Sequence, residues 1–175
     1  MHRLKTLLYL IATLFLAGCF EKSADISSPK SYNSDLVTFQ YPGNWKIGID
    51  SELGILTLES PGDAIVTIQI EPPHDKIDLD TLAKNYSANF IKELPIGKPA
   101  IESFTALENQ SGFERILEKF TVTVLGESIE HHRMYAGKDG EERDYFLVFQ
   151  VPSEDFERTI PGFDLILKSL KPKTK

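Results

Sequence analysis

Three features of this chain predict an α+β fold with a central antiparallel sheet flanked by helices. Short runs alternate apolar and polar residues with period two, first from Leu36 to Glu71 and again from Ile101 to Val151. Between those blocks Leu79, Leu82, Ala83, Tyr86, Phe90 and Leu94 recur three or four residues apart, which places them on one stripe of a helix. Near the end Phe163, Ile166, Leu167 and Leu170 repeat the helical offsets.

The first block contains four short strands joined by tight turns. Val37, Phe39 and Tyr41 share one face, and Pro42-Gly43-Asn44 turns the chain. Trp45, Ile47 and Ile49 begin the second piece, Leu56 and Leu58 mark the third, and Pro61-Gly62-Asp63 turns into the run Val66, Ile68, Ile70. This spacing predicts a four-stranded meander. The helix that follows is capped by Asp78 or Asp80 and closed by Pro95 and Gly97.

Strands then run over 101–107, 113–125 and 129–136, with a turn at 108–112 and a hairpin connection at Gly137-Lys138-Asp139-Gly140. The last strand, 143–151, has Tyr145, Leu147, Phe149 and Val151 on one face and Phe146 and Val148 on the other. Apolar residues on both faces predict an interior strand. Pro161-Gly162 is expected to break the helical ending into a short piece around Phe156 and Ile160 and a final helix from Phe163.

The start of the chain has a different composition. His2, Arg3 and Lys5 precede an apolar run from Leu7 to Ala17, too short for the roughly 20 residues of a spanning helix. A charged start, an apolar middle and small residues before a cut describe an export signal. Leu16-Ala17-Gly18-Cys19 resembles the lipobox of bacterial lipoproteins; the bland alternatives are an ordinary cleavage site or a buried structural cysteine. The resemblance implies cleavage before Cys19, a diacylglycerol on its thiol and a fatty acyl chain on the new amino terminus. Two or more buried chains, at about 0.8 kcal/mol per CH₂, hold a protein on a bilayer almost without release. By the same resemblance, a residue other than Asp after the cysteine, here Phe20, implies sorting to the outer membrane facing the periplasm in a host that has one.

The expected organisation is therefore a signal peptide at 1–18 and a lipidated cysteine with a Ser-rich flexible tether at 19–35. A single domain at 36–171 and a frayed tail at 172–175 complete it. The full chain of 175 residues has 19 Lys+Arg against 26 Asp+Glu; without Arg3 and Lys5 the mature form has 17 against 26. An acidic surface of this kind excludes nucleic acid as a partner. Cys19 is the only cysteine, so no disulfide supports the domain.

The element order carries a second resemblance. Phe39-Gln40-Tyr41-Pro42-Gly43-Asn44-Trp45 is followed by Glu59-Ser60-Pro61-Gly62 and by Val66-Thr67-Ile68. After a helix come antiparallel strands containing Tyr145-Phe146-Leu147, then Phe163-Asp164-Leu165-Ile166-Leu167-Lys168-Ser169-Leu170. Over about residues 36 to 171 this is similar to the Mog1/PsbP-like fold. The resemblance implies a three-layer sandwich and a non-enzymatic binding or assembly role with a protein partner. It transfers no partner identity.

Candidate chemistry is sparse. Adjacent residues of a strand point to opposite faces, so His131 and His132 do not jointly hold one ion from a regular strand; His74 or a carboxylate would have to join one of them. Both are weighed as pocket or partner residues, and as the basis of an alternative function, an envelope hydrolase or a metal-binding protein. The acidic run 137–144 lacks the spacing of a calcium loop and reads as a solvated hairpin tip. Asp75, Asp78 and Asp80 could flank a cleft, but capping and surface solvation account for them. No G-x-S-x-G elbow, phosphate loop or dinucleotide fingerprint occurs, and no cofactor is expected. Phe39, Tyr41 and Phe149 read as core; Trp45, which follows a turn, is expected to be partly exposed and open to a partner.

Overall fold

The computed structural model describes residues 23–50, 55–73, 78–94 and 96–173. Cys19, the signal segment and His74 therefore lie outside the described residues. Among the described residues, ten strands and two main helices occur in the order β1 (Lys30–Asn33), β2 (Val37–Tyr41), β3 (Lys46–Asp50), β4 (Ile55–Glu59), β5 (Ile65–Glu71), α1 (Leu79–Glu93), β6 (Lys98–Gln110), β7 (Phe113–Val124), β8 (Glu127–Lys138), β9 (Asp144–Pro152), α2 (Phe156–Ser169) and β10 (Lys171–Pro172). A single 3₁₀ turn, Ser153–Asp155, leads into α2.

Seven strands form one antiparallel sheet in the order β3-β4-β5-β9-β8-β7-β6. β9 is central in that order, and its two apolar faces are both covered, as its double alternation predicts. On one face Leu58, Val66, Ile68, Leu147 and Phe149 pack with Phe163, Ile166 and Leu167 of α2 and with Val37 and Phe39 of β2. The opposite face holds a smaller cluster, in which Leu79 and Ala83 of α1 meet Ile116, Tyr135 and Val148. Asp78 caps α1, its carboxylate accepting from the Thr81 amide at 2.8 Å and the Thr81 hydroxyl at 2.9 Å. The result is three layers: α1, the large sheet, and α2 with a small sheet.

Four expectations need correction. The meander has three strands, β3 to β5; β2 belongs to the separate small sheet, between β1 and β10. The turn expected at 108–112 is confined to Ser111 and Gly112, because β6 continues to Gln110. Pro161 does not break the last helix. It is the sixth residue of a continuous α2, where it removes one helical hydrogen bond near the amino end, and a closely packed apolar face offsets that loss.

The fourth correction concerns the tether and the tail. Residues 23–35 are docked on the domain. The Ala24 amide donates to the Arg158 carbonyl at 2.9 Å, the Gly43 amide donates to the Asp25 carbonyl at 2.9 Å, and Asn44 Nδ2 donates to the Ser23 carbonyl at 2.8 Å. Asp25 folds its own loop, accepting from the amides of Ser27 and Ser28. β1 then pairs with β2 along four residues, and Tyr32 lies 5.1 Å from the Phe39 ring. At the other terminus β10 pairs with β2, and the Lys173 amide donates to the Leu36 carbonyl, so 172–173 are part of the fold.

Candidate functional site

α1 is shorter than the sheet face on which it lies, and the uncovered part of that face forms a cavity of about 710 Å³. Two glycines shape it. Gly137 in β8 lets Leu79 of α1 sit against the strand, since a Cβ there would stand 3.0 Å from Leu79 Cδ1. Gly112, at φ +81°, turns β6 into β7 and leaves room for the Lys138 side chain, whose ammonium lies 5.4 Å from the Phe113 ring centre. Asn85, Tyr86 and Asn89 of α1 form one wall, and Tyr145 and Phe146 of β9 line the other side. Glu71, Asp78, Glu114, Asp139 and Asp144 stand around it, and Lys138 is the single Lys or Arg among the described residues that line it. Hydrogen bonds from Thr81 hold the Asp78 carboxyl below its usual range, and burial pushes the Tyr145 phenol up. The arrangement suits binding of a cationic, partly flat group.

Beside the cavity, under the second half of α1, lies a sealed polar network. Arg133 of β8 and Glu118 of β7 are register partners, and Arg133 Nη1 donates to Glu118 Oε2 at 2.9 Å. Tyr135 donates to the same oxygen at 2.6 Å, Ser87 of α1 donates to Oε1 at 2.5 Å, and Arg133 Nε donates to Gln150 at 2.8 Å. The guanidinium is sandwiched between Phe90 and Phe120, 4.2 and 4.4 Å from their ring centres. Burial pushes the Tyr135 phenol well above its usual range, with Arg133 opposing and Glu118 reinforcing the shift. Ser87, Glu118, Arg133 and Tyr135 are each at most 1% exposed, so this set holds α1 to the sheet and reaches no solvent-borne substrate. Sequence reasoning missed it, although the pattern was present. Ile116, Glu118, Phe120 and Val122 alternate onto one buried face, which carries Glu118 inward with them.

The predicted site residues are not brought together. His131 lies on the α1 face, its ring stacked 5.1 Å from Phe120 and its Nδ1 3.0 Å from the Ile129 carbonyl. His132 lies on the opposite face, 4.4 Å from the Phe156 ring, with Nδ1 buried and unpartnered. Burial depresses both imidazoles below their usual range. Neither Nδ1 meets a carboxylate, and neither histidine lines the cavity. Among the described residues no three His, Cys, Asp or Glu side chains converge as a metal site.

Trp45 is corrected outright: it is 1% exposed, and Gly162 of α2 is pressed against its ring. The turn before it does not expose it, because α2 closes over that corner. The hairpin tip 139–143 is where the sequence places it, between β8 and β9.

Solved structures share this arrangement. Cyanobacterial PsbP (CyanoP) from Synechocystis sp. PCC 6803 superposes with a TM-score of 0.55 at 16% identity, covering 84% of this chain and 94% of that one. The Ran-binding protein Mog1p of Saccharomyces cerevisiae gives 0.54 at 8% identity, covering 83% and 96%. The chain has the PsbP/Mog1 fold. A protein from Bacteroides thetaiotaomicron gives 0.50 at 11% identity over 79% of this chain and 46% of that one. No protein-family model and no curated protein sequence matches the chain. At these identities the likeness is one of fold.

Proposed function

We propose that this chain is a bacterial lipoprotein, anchored through acyl chains on Cys19, that acts in the cell envelope as a non-enzymatic binding or assembly factor. The observation that carries the reading is the pairing of Leu16-Ala17-Gly18-Cys19 with a single PsbP/Mog1-fold domain that begins within four residues of that cysteine. Mog1p, which shares the fold, is a Ran-binding protein, and this supports a protein partner for the present chain. The outer membrane facing the periplasm is the proposed location, on the strength of Phe20.

The α1 cavity is the proposed partner site, taking a basic side chain against Tyr86 and Phe146 among its carboxylates. A photo-crosslinking residue at Asn89, in membranes of the native host, is expected to trap a discrete protein that the same residue at Lys168 on α2 does not. Substituting Glu114→Lys should remove the adduct. Identical adduct patterns from both helices would contradict the assignment.

A further inference from the structure

The large sheet is uneven at one end. Pro152, His131, Phe120 and Ile101 form one row across β9, β8, β7 and β6, and beyond it only β8, β7 and β6 continue. β8 begins four residues further out, at Glu127, which is about 13 Å at roughly 3.3 Å per residue. A three-stranded ribbon thus projects past the body of the domain.

The ribbon is amphipathic. Pro99, Val122 and Ile129 share a row on one face, next to Ile101. Thr121, Thr123, Ser128 and Glu130 occupy the other, where Thr123 and Ser128 hydroxyls meet at 3.0 Å and Thr121 donates to Glu102 at 2.6 Å. Val122 in the middle of that face is covered, at 8% exposed, beside Gly97, whereas its flanks are open: Ile129 is 48% exposed, Ile101 43%, and Ile96, which leads into β6, 67%.

The tip is more unusual. Leu125 and Gly126 make the β7–β8 turn with φ +54° and +90°, a geometry that Asn, Asp or Gly adopts at lower cost than leucine. Leu125 is 99% exposed, so its side chain contributes nothing to packing within the domain. An apolar side chain held at such a position has its use outside the fold.

The amino terminus indicates what lies there. Ser23 is bonded to Asn44, just before β3 begins, and β3 begins at this same end of the sheet, because Lys46 shares a row with Glu59, Ile65 and Gln150. Ser23 lies four residue steps from Cys19, at most about 14 Å of extended chain. That reach matches the height of the ribbon, so an acylated Cys19 and Leu125 can meet one plane.

We infer that the projecting ribbon is a second membrane contact: Leu125, with Ile96 and Ile129 behind it, enters the interfacial layer of the bilayer that holds the acyl chains of Cys19. The inference rests on the lipoprotein reading. It fixes the orientation of the domain, with the 139–143 hairpin at the opposite end of the sheet and turned away from the lipid. An apolar wedge beside a covalent lipid adds to membrane binding, whose strength scales with the apolar area buried in the interface.

The test uses the mature acylated protein. Acylation consumes Cys19, so Leu125→Cys carries the only free thiol and takes a nitrobenzoxadiazole label. With the protein in phosphatidylethanolamine–phosphatidylglycerol vesicles, the label at 125 is expected to shift to the blue and to be quenched by brominated acyl chains. The same label at Glu141→Cys should remain at its aqueous position and unquenched. Equal, aqueous emission from both sites on vesicle-bound protein would overturn the ribbon contact, and so would a blue shift at 125 that brominated lipid leaves unquenched, the signature of a protein surface. Intact mass of the same sample separates the two readings, since a chain lacking diacylglycerol overturns the anchor on which the inference rests.

Discussion

Arg133 and Glu118 face each other across β8 and β7, joined at 2.9 Å, with neither side chain more than 1% exposed. Removing one partner leaves the other charged and dry, which costs about 3–5 kcal/mol. Glu118→Ala is therefore expected to lower the urea midpoint steeply. The double variant Glu118→Leu/Arg133→Met, which leaves no orphan charge, should recover most of that loss. A double variant no more stable than Glu118→Ala would show that the pair holds α1 by something other than charge balance.

Gly162 gives a test on the other side of the sheet. In a helix interior Gly→Ala ordinarily stabilises, by about 0.5–1 kcal/mol. Here the new Cβ would stand 2.6 Å from Trp45 Cζ2 and 2.7 Å from Pro42 Cγ. Gly162→Ala should instead destabilise, by about 1–3 kcal/mol as overpacking does. Trp45 is the only tryptophan, so a change in its emission would accompany the loss.

Much of this architecture was legible in the chain, and the failures have physical causes. Alternation located the strands around Val66, Phe120 and Leu147, and the stripe from Leu79 located α1, because these elements bury apolar faces. Residues 23–35 were read as a tether since they bury little; carbonyls, amides and the Asp25 and Asn44 side chains hold them, and such bonds leave no hydrophobic period. Trp45 was misjudged because its cover, Gly162, is distant in sequence. Of the α1 cavity the sequence offers only Asp78 as a residue that could flank a cleft; Gly112, Gly137 and Asn85 meet there only through sheet register and helix placement.

The histidines predict a pH dependence. Burial lowers the folded pKa of both His131 and His132, so below about pH 6.5 the unfolded chain binds more protons than the folded one. Their contribution is complete above that pH and is lost as pH falls through it toward the folded values. Unfolding free energy should decline between pH 7 and 5.5, and His131→Gln/His132→Gln should flatten the decline. An unchanged slope would contradict the assignment.

The carboxylates act in a lower window. Hydrogen bonds depress Asp25, chiefly from Ser27, and Asp78, chiefly from Thr81. Their contribution is present above the unfolded value near 3.8 and is lost as pH falls below it. Asp78→Asn should reduce the acid sensitivity of α1 below pH 4, followed by amide exchange at Thr81 and Leu82.

We propose that this domain is held at a membrane by lipid on Cys19, and intact mass spectrometry of the protein extracted from host membranes tests it directly. The expected result is a chain beginning at Cys19, carrying a diacylglycerol on its thiol and a further acyl group on its amino terminus. A membrane-extracted chain with an unmodified Cys19, or one cut elsewhere, would contradict the account.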